Sequence, residues 1–231
     1  MMLTVLIPCY NEKHTILEVI DRVLKVKIIK LEIIVIDDGS IDGSSDILKK
    51  YVVGKYPNVK VIFCEKNQGK GRALKEAYDY INGDYVIIQD ADLEYNPEDY
   101  PYLLKPLLDG DADVVYGSRF VGDKPHRVGL FWHFIANKFL TFFSNMLSNL
   151  NLTDMEVGYK VFNTKIFKKI DIKEKSFGVE PEITAKIAKL KIRIFEVGIS
   201  YSGRTYDEGK KIGLKDGFRA LYCIIRYNLF N

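Results

Sequence analysis

Apolar residues in the first half of the chain fall into short continuous runs that alternate with longer stretches of helical spacing. Residues 3–7 form a first run, and residues 12–26 carry Ile16, Leu17, Ile20 and Leu24 at the spacing of one helical face. Residues 32–36 are largely β-branched without a polar alternation, which predicts a strand covered on both faces. A helical pattern then runs through Ile47, Leu48 and Tyr51. A third strand is expected at 59–63, a third helix at 71–81, a fourth strand at 85–89, a helix at 97–108 and a fifth strand at 113–116. This alternation predicts an α/β domain with a mostly parallel central sheet and helices on both faces. Ligands of such sheets bind beyond the carboxyl ends of the strands. Three predicted strands end there in polar tails: Pro8-Cys9-Tyr10-Asn11-Glu12, Asp37-Asp38-Gly39-Ser40 and Asp90-Ala91-Asp92.

The last tail carries the most chemistry. Alternate positions at a strand end point to one side, so Asp90, Asp92 and Glu94 are expected to face one cavity. Three carboxylates there repel one another unless a cation lies between them, and hard oxygen ligands suit Mg²⁺ or Mn²⁺. A solvated acidic turn is the competing reading of the same residues. Asp37 or Asp38 has the chemistry to hydrogen-bond a ribose or a base N–H, while Asp38 or Ser40 is equally placed to cap the next helix. Asn67-Gln68-Gly69-Lys70-Gly71 leads into the third helix. Its glycines allow close backbone approach and Lys70 supplies charge for a pyrophosphate, although the spacing is not that of a Walker loop.

Composition narrows the class. With 231 residues, 47% hydrophobic and 28% charged, the chain is long enough for one sizeable core and is not disordered. A net charge of +3, with no basic run, gives no footprint for nucleic acid. Cys9, Cys64 and Cys223 are scattered, which fits a reducing compartment and neither a disulfide framework nor a zinc site. No secretory signal and no uninterrupted apolar stretch of spanning length are expected.

Taken together, the three tails, the 67–71 segment and Tyr116-Gly117-Ser118-Arg119-Phe120 resemble family 2 glycosyltransferases of GT-A (Rossmann-like) fold, and most of all the dolichyl-phosphate mannose synthase and bacterial polyprenyl-phosphate glycosyltransferase branch. The resemblance implies that Pro8, Tyr10, Glu12 and Asp37 surround the nucleoside of a nucleotide-sugar donor, GDP-mannose or UDP-glucose. It implies that Asp90 contacts donor and metal and that Asp92 is the principal metal ligand. Relatives often carry Gln where this chain has Glu94, whose carboxylate remains able to ligate. Arg119 matches an arginine that grips an acceptor phosphate, and Arg127 is a second candidate. Residues 153–160 and 177–183 look like acceptor-side motifs, and residues 201–213, with Arg204, Gly209, Lys210 and Lys211, like a mobile loop over the donor pyrophosphate. On this reading residues 1–125 are the donor half and 126–231 the acceptor half of one catalytic domain.

Residues 130–150 put His133, Asn137, Thr141, Asn145 and Ser148 near one narrow stripe, with Phe and Trp over the rest, and residues 218–230 repeat the theme. Either segment suits an amphipathic helix in a membrane interface or a helix buried against protein. Similar proteins use such helices to reach a lipid phosphate, so a peripheral position on the cytoplasmic face of a membrane, alone or through an anchoring partner, is expected. The expected chemistry is inverting displacement by a polyprenyl phosphate, which needs no strong base. For a sugar hydroxyl in glycan synthesis, Asp154 is the candidate base, with ion pairing or capping as its other reading. Two other classes are nucleotidyl transfer, which usually places a glycine-rich, arginine-containing loop where this chain has Pro8–Glu12, and a lipid- or nucleotide-binding module without catalysis.

Overall fold

The protein is described from a computed structural model over residues 1–122, 124–176, 178–205 and 213–230. β1 (Met2–Cys9) pairs in parallel with β2 (Lys30–Asp37) on one side and β4 (Tyr85–Ile88) on the other, and β3 (Val59–Phe63) extends the sheet beyond β2. β6 (Lys160–Asn163) enters antiparallel between β4 and β5 (Val114–Ser118), and β7 (Ile194–Gly198) closes the far edge parallel to β5. The seven-stranded order is β3-β2-β1-β4-β6-β5-β7. Ile33, Ile34, Val35 and Ile36 have no solvent exposure, and neither do Leu3, Val5, Leu6, Ile7, Val86 and Ile87, as continuous apolar runs in a doubly covered sheet require.

The five strands expected from the pattern are all present. β6 and β7 were not anticipated: β6 is four residues long and opens on a lysine, and β7 is a half-buried edge strand with a glutamate at its centre. Both join the sheet of the first half, so the two expected halves share one core. Helix boundaries shifted more than helix positions. α1 (Ile16–Lys25) begins after a turn over 12–15, α3 (Lys70–Glu76) gives way to a 3₁₀ turn at Tyr78–Tyr80, and α4 (Tyr100–Leu108) follows one at Pro97–Asp99. α2 (Ser44–Tyr51) and α6 (Thr164–Phe167) are short connectors.

α5 (Phe131–Ser148) is amphipathic in an inverted sense. Its polar stripe faces the protein: Thr141 Oγ1 accepts from Met155 N at 3.1 Å, Asn145 Oδ1 from Leu152 N at 3.1 Å, and Asn145 Nδ2 donates to Leu152 O at 2.7 Å. Leu140, Phe143 and Leu147 pack against the core, while the rest of its large apolar residues face outward, with Trp132 76% and Phe142 66% exposed. α8 (Leu214–Leu229) packs against α5 and α7 (Val179–Lys189) through Ala220, Cys223, Ile224 and Tyr227, and it too leaves Phe218, Tyr222, Ile225 and Leu229 exposed. No described helix is long and apolar enough to cross a membrane.

Candidate active site

The three polar tails converge because β1, β2 and β4 are neighbours running in one direction, with Cys9 in register with Asp37. Hydrogen bonds lace them together: Asp38 N donates to Cys9 O at 2.8 Å, Asn11 N to Ser40 Oγ at 3.0 Å, and Thr15 Oγ1 to Ala91 O at 2.7 Å. Pro8 is half-buried at this edge and Tyr10 is exposed. Asp37 and Asp38 are both buried. Asp37 accepts from Ser40 N and from the Ser45 hydroxyl, and Asp38 accepts from Gln68 N at 3.0 Å and Gly69 N at 2.6 Å. Burial pushes the Asp38 carboxyl up despite those two amide donors. Asp38 therefore ties β2 to the 67–71 loop, and the expected helix cap at Asp38 or Ser40 is corrected. α2 begins instead after Gly43, with Asp42 accepting from Ser44 N at 2.9 Å.

The loop glycines have a packing cause. A Cβ at Gly69, whose φ is +94°, would stand 2.1 Å from Lys175 O, and one at Gly71 would stand 2.0 Å from Glu174 O. The close backbone approach those glycines permit is to the 174–175 segment.

Asp90, Asp92 and Glu94 lie at the same edge, each held by a cation. Lys70 Nζ is 2.7 Å from Asp90 Oδ1 and 2.8 Å from Glu180 Oε1. Arg204 places NH2 2.7 Å from Asp92 Oδ2, Nε 3.2 Å from Glu94 Oε1 and NH1 3.8 Å from Glu12 Oε2. Glu94 also accepts from the Tyr201 hydroxyl at 2.7 Å. Among the described residues no three acidic, histidine or cysteine side chains gather as a metal cluster; the three expected ligands share the edge, but Asp90 points to Lys70 while Asp92 and Glu94 point to Arg204. The guanidinium of Arg204 stands where the carboxylates would otherwise meet. The donor set nevertheless fits a divalent ion: hard oxygens only, and more negative charge than its cations balance. Burial, followed by the charges of Asp90 and Glu94, pushes the Asp92 carboxyl up to about 7 against the pull of Arg204.

Arg119, just beyond β5, forms a fork with Asp154: Nε to Oδ2 at 2.6 Å and NH2 to Oδ1 at 2.7 Å. Asp154 has no solvent exposure and also accepts from Arg119 N and Asn137 Nδ2. Burial pushes its carboxyl up, but the Arg119 charge and hydrogen bonds outweigh this and hold it below the usual range. Four donors occupy its lone pairs, so the structure supports the ion-pair reading of Asp154 over the base reading. The Arg119 guanidinium lies 5.1 Å from the Tyr201 ring centre. Arg127 is exposed and reaches the segment after β7, with N donating to Tyr201 O at 2.7 Å and NH1 to Gly203 O at 3.3 Å. Lys210, with Gly209 and Lys211, lies outside the described residues, as does Phe177.

Glu156, Lys160 and Glu180 were not singled out individually from sequence. Glu180 reaches Asp90 through Lys70, and Gly158, between Glu156 and Lys160 in the chain, abuts Asp90: a Cβ there would stand 2.3 Å from its Oδ2. Lys160 is buried, its Nζ donating to the carbonyls of Met155 and Val157. Burial pushes its ammonium down to about 8, and burial together with the Glu180 charge pushes Glu156 up to about 8. Their signal in the sequence was membership of the 153–160 and 177–183 motifs, which gave no role to any one of them.

Residues 4–171 match the family described as Glycosyl transferase family 2, and the chain belongs to that family. It is 27% identical to the low-salt glycan biosynthesis hexosyltransferase Agl6 of Haloferax volcanii, over 99% of this chain and 53% of that protein. It is 22% identical to the dodecaprenyl-phosphate galacturonate synthase of Rhizobium johnstonii, over 99% of this chain and 67% of that one. The chain thus spans about half the length of the Haloferax relative. Glucosyl-3-phosphoglycerate synthase of Mycobacterium tuberculosis, solved with Mn²⁺ and UDP-glucose, superposes with a TM-score of 0.75 at 20% identity, over 98% of this chain and 78% of that one. The seven-stranded sheet with flanking helices is a GT-A fold.

Proposed function

We propose that the chain transfers a hexose, with inversion, from a nucleotide sugar (GDP-mannose or UDP-glucose) to a polyprenyl phosphate in the presence of Mg²⁺ or Mn²⁺. The observation that carries this reading is one edge on which surplus carboxylate charge at Asp90, Asp92 and Glu94 lies near a half-buried, pre-oriented arginine, Arg119. Asp92, with Asp90 and Glu94, would hold the ion, which supplies charge to the donor diphosphate. The Mn²⁺ and UDP-glucose bound to the Mycobacterium enzyme support this use of the fold.

This chain's residues do the rest. Lys70 and Arg204, which stand at the same edge, would offer their charge to the departing diphosphate, together with Lys210. Pro8, Tyr10, Glu12, Asp37 and Asp38 frame the nucleoside side, the two aspartates by shaping the loops rather than through free oxygens. Arg119, locked by Asp154, orients the acceptor phosphate with Arg127 nearby. A phosphate attacks as an anion and needs no base, which suits an Asp154 whose lone pairs are filled. The Rhizobium relative, a polyprenyl-phosphate sugar synthase by name, supports the acceptor class. Transfer to a glycan hydroxyl, favoured by the Haloferax relative's name, would need a base other than Asp154.

The outward apolar faces of α5 and α8 support a peripheral seat on the cytoplasmic face of a membrane, directly or through an anchoring protein, since lipid is the partner an inverted helix fits. Residues 1–125 then form the donor side and 126–231 the acceptor side, from which the 201–213 loop reaches back to the donor diphosphate. Incubation with each nucleotide sugar, Mn²⁺ and a polyprenyl phosphate should release nucleoside diphosphate and form a lipid-linked sugar. Diphosphate release that is unaffected by the lipid phosphate would overturn the acceptor, and no release with any donor would overturn the enzyme.

A further inference from the structure

Three acids near the site serve the main chain, and each has both oxygens satisfied. Glu182 accepts from Lys173 N and Glu174 N, Glu196 from Thr153 N and Asp154 N, and Asp38 from the 68–69 amides. Glu156 differs. The residue is partly accessible, yet its Oε1 is shut off from bulk solvent and has no hydrogen-bond partner among the described residues. A buried acceptor left unmade costs stability and is retained where a ligand completes it.

What surrounds Glu156 defines that ligand. Its strongest electrostatic neighbours are Glu180 and Lys160, ahead of the Arg119–Asp154 pair. Glu180 leads through Lys70 to Asp90, the carboxylate expected next to the donor's diphosphate. Gly158, two residues on, is bare of a side chain where Asp90 presses against the same segment. Glu156 thus neighbours Glu180, which Lys70 joins to Asp90, the residue expected at the donor's diphosphate. Lys160 spends two of its three ammonium protons on the main-chain carbonyls that flank Glu156, so a carboxyl oxygen that can accept and an ammonium that can donate stand together. A hydroxyl is the group that both donates to the one and accepts from the other.

We propose that Glu156 and Lys160 form the recognition site for hydroxyls of the donor's sugar, and that Glu156 with Glu180 restricts it to uncharged hexoses. This rests on the nucleotide-sugar reading above. A hexuronate would bring a further carboxylate to a group in which, among the described residues, the three acids Asp90, Asp154 and Glu180 already share Lys70 and Arg119.

The test is binding by the whole chain, with Mn²⁺, of UDP and GDP, of UDP-glucose and GDP-mannose, and of UDP-glucuronate. The quantity read is each sugar nucleotide's Kd divided by that of its own diphosphate. Glu156→Gln is expected to raise that ratio about tenfold or more for the neutral hexose, since a site built to bond a hydroxyl loses most when its acceptor is weakened. The diphosphate Kd should stay within about twofold, and thermal stability should be equal or higher. Wild type should prefer UDP-glucose to UDP-glucuronate, and the variant should lose part of that preference. An unchanged ratio overturns the proposal, as does equal weakening of diphosphate and sugar nucleotide, which marks a structural role. Unchanged donor binding with lost transfer also overturns it, by placing Glu156 on the acceptor. If wild type binds neither UDP nor GDP, the donor reading itself falls and the pocket with it; an unchanged ratio alone leaves that reading standing.

Discussion

Arg119 and Asp154 meet as a planar fork, with Nε and NH2 donating to the two carboxylate oxygens at 2.6 and 2.7 Å, while the Arg119 main-chain N–H adds a third bond to the same carboxylate. The aspartate is fully buried, so removing it strands a guanidinium that has little other solvation. Asp154→Ala is expected to cost about 3–5 kcal/mol in urea unfolding, the usual range for breaking a buried pair. Asp154→Asn keeps the shape but weakens the fork, and it should raise the acceptor KM. Its effect should not add to that of Arg119→Ala, because both remove one unit. Arg119→Lys should not rescue, since an ammonium cannot make both bonds. The folded aspartate binds its proton less readily than the unfolded one, so the stability this pair contributes is present above the ordinary carboxylate range and is lost as pH falls through the lowered value.

Arg204 competes with any ion for Asp92 and Glu94. Arg204→Gln is therefore expected to tighten Mn²⁺ binding to the nucleotide-free protein by about tenfold, roughly 1.4 kcal/mol, read by manganese resonance titration. Turnover should fall in the same variant, because the charge meant for the leaving diphosphate is gone. Unchanged metal affinity would separate Arg204 from the ion's site.

Gly69 combines a φ of +94° with a carbonyl 2.1 Å from any added Cβ. Gly69→Ala is expected to lose about 1–3 kcal/mol from the backbone conformation alone, and more from the displaced 174–175 segment. The Asp38 bonds to Gln68 and Gly69 should loosen with it, so nucleotide binding should weaken in parallel with the fall in melting temperature. Gly54→Ala, at a positive φ with nothing within 4 Å, is the control in which only the conformational cost applies.

The legible part of this molecule was whatever the sheet's period dictates. Residues 32–36 and 85–89 read as strands because both faces are buried, and their polar tails read as a site because chain direction brings them to one edge. Partner choice was not legible. Nothing in the order of residues says that Arg204 reaches Asp92 across 112 positions, or that Asp154 spends its lone pairs on Arg119. The glycines of 67–71 were recognisable as places of close approach, but not the segment that approaches. β6 escaped because four residues opening on a buried lysine carry no period to detect.

In α5 the sequence pattern was right and its orientation open, and the structure turns the polar stripe inward. Surface and core substitutions should therefore behave in the reverse of their usual sense. Trp132→Ser with Phe142→Ser should leave unfolding free energy within about 0.5 kcal/mol per site while reducing sedimentation with lipid vesicles. Thr141→Val, a polar-to-apolar change, should destabilise by about 1–3 kcal/mol, because the Met155 N–H loses its acceptor in a buried place. Vesicle binding that survives the double serine variant would move the membrane contact elsewhere.

Glu156 gives the pH dependence a sign of its own. Burial and the Glu180 charge raise its pKa to about 8, while Lys160, and after it Arg119, pulls the other way and Asp154 adds to the rise. In the unfolded chain a glutamate titrates near its ordinary value of about 4.3. Between those values the folded state binds more protons than the unfolded one, so this residue makes stability decline as pH rises toward 8. Lys160, pushed down to about 8, acts in the opposite direction only above that pH, where the unfolded lysine still holds its proton. Glu156→Gln cannot titrate and removes the first effect. Urea unfolding at pH 5.5, 7 and 8 should show the variant gaining on wild type as pH increases, and a constant difference would mean that the carboxyl is already ionised throughout.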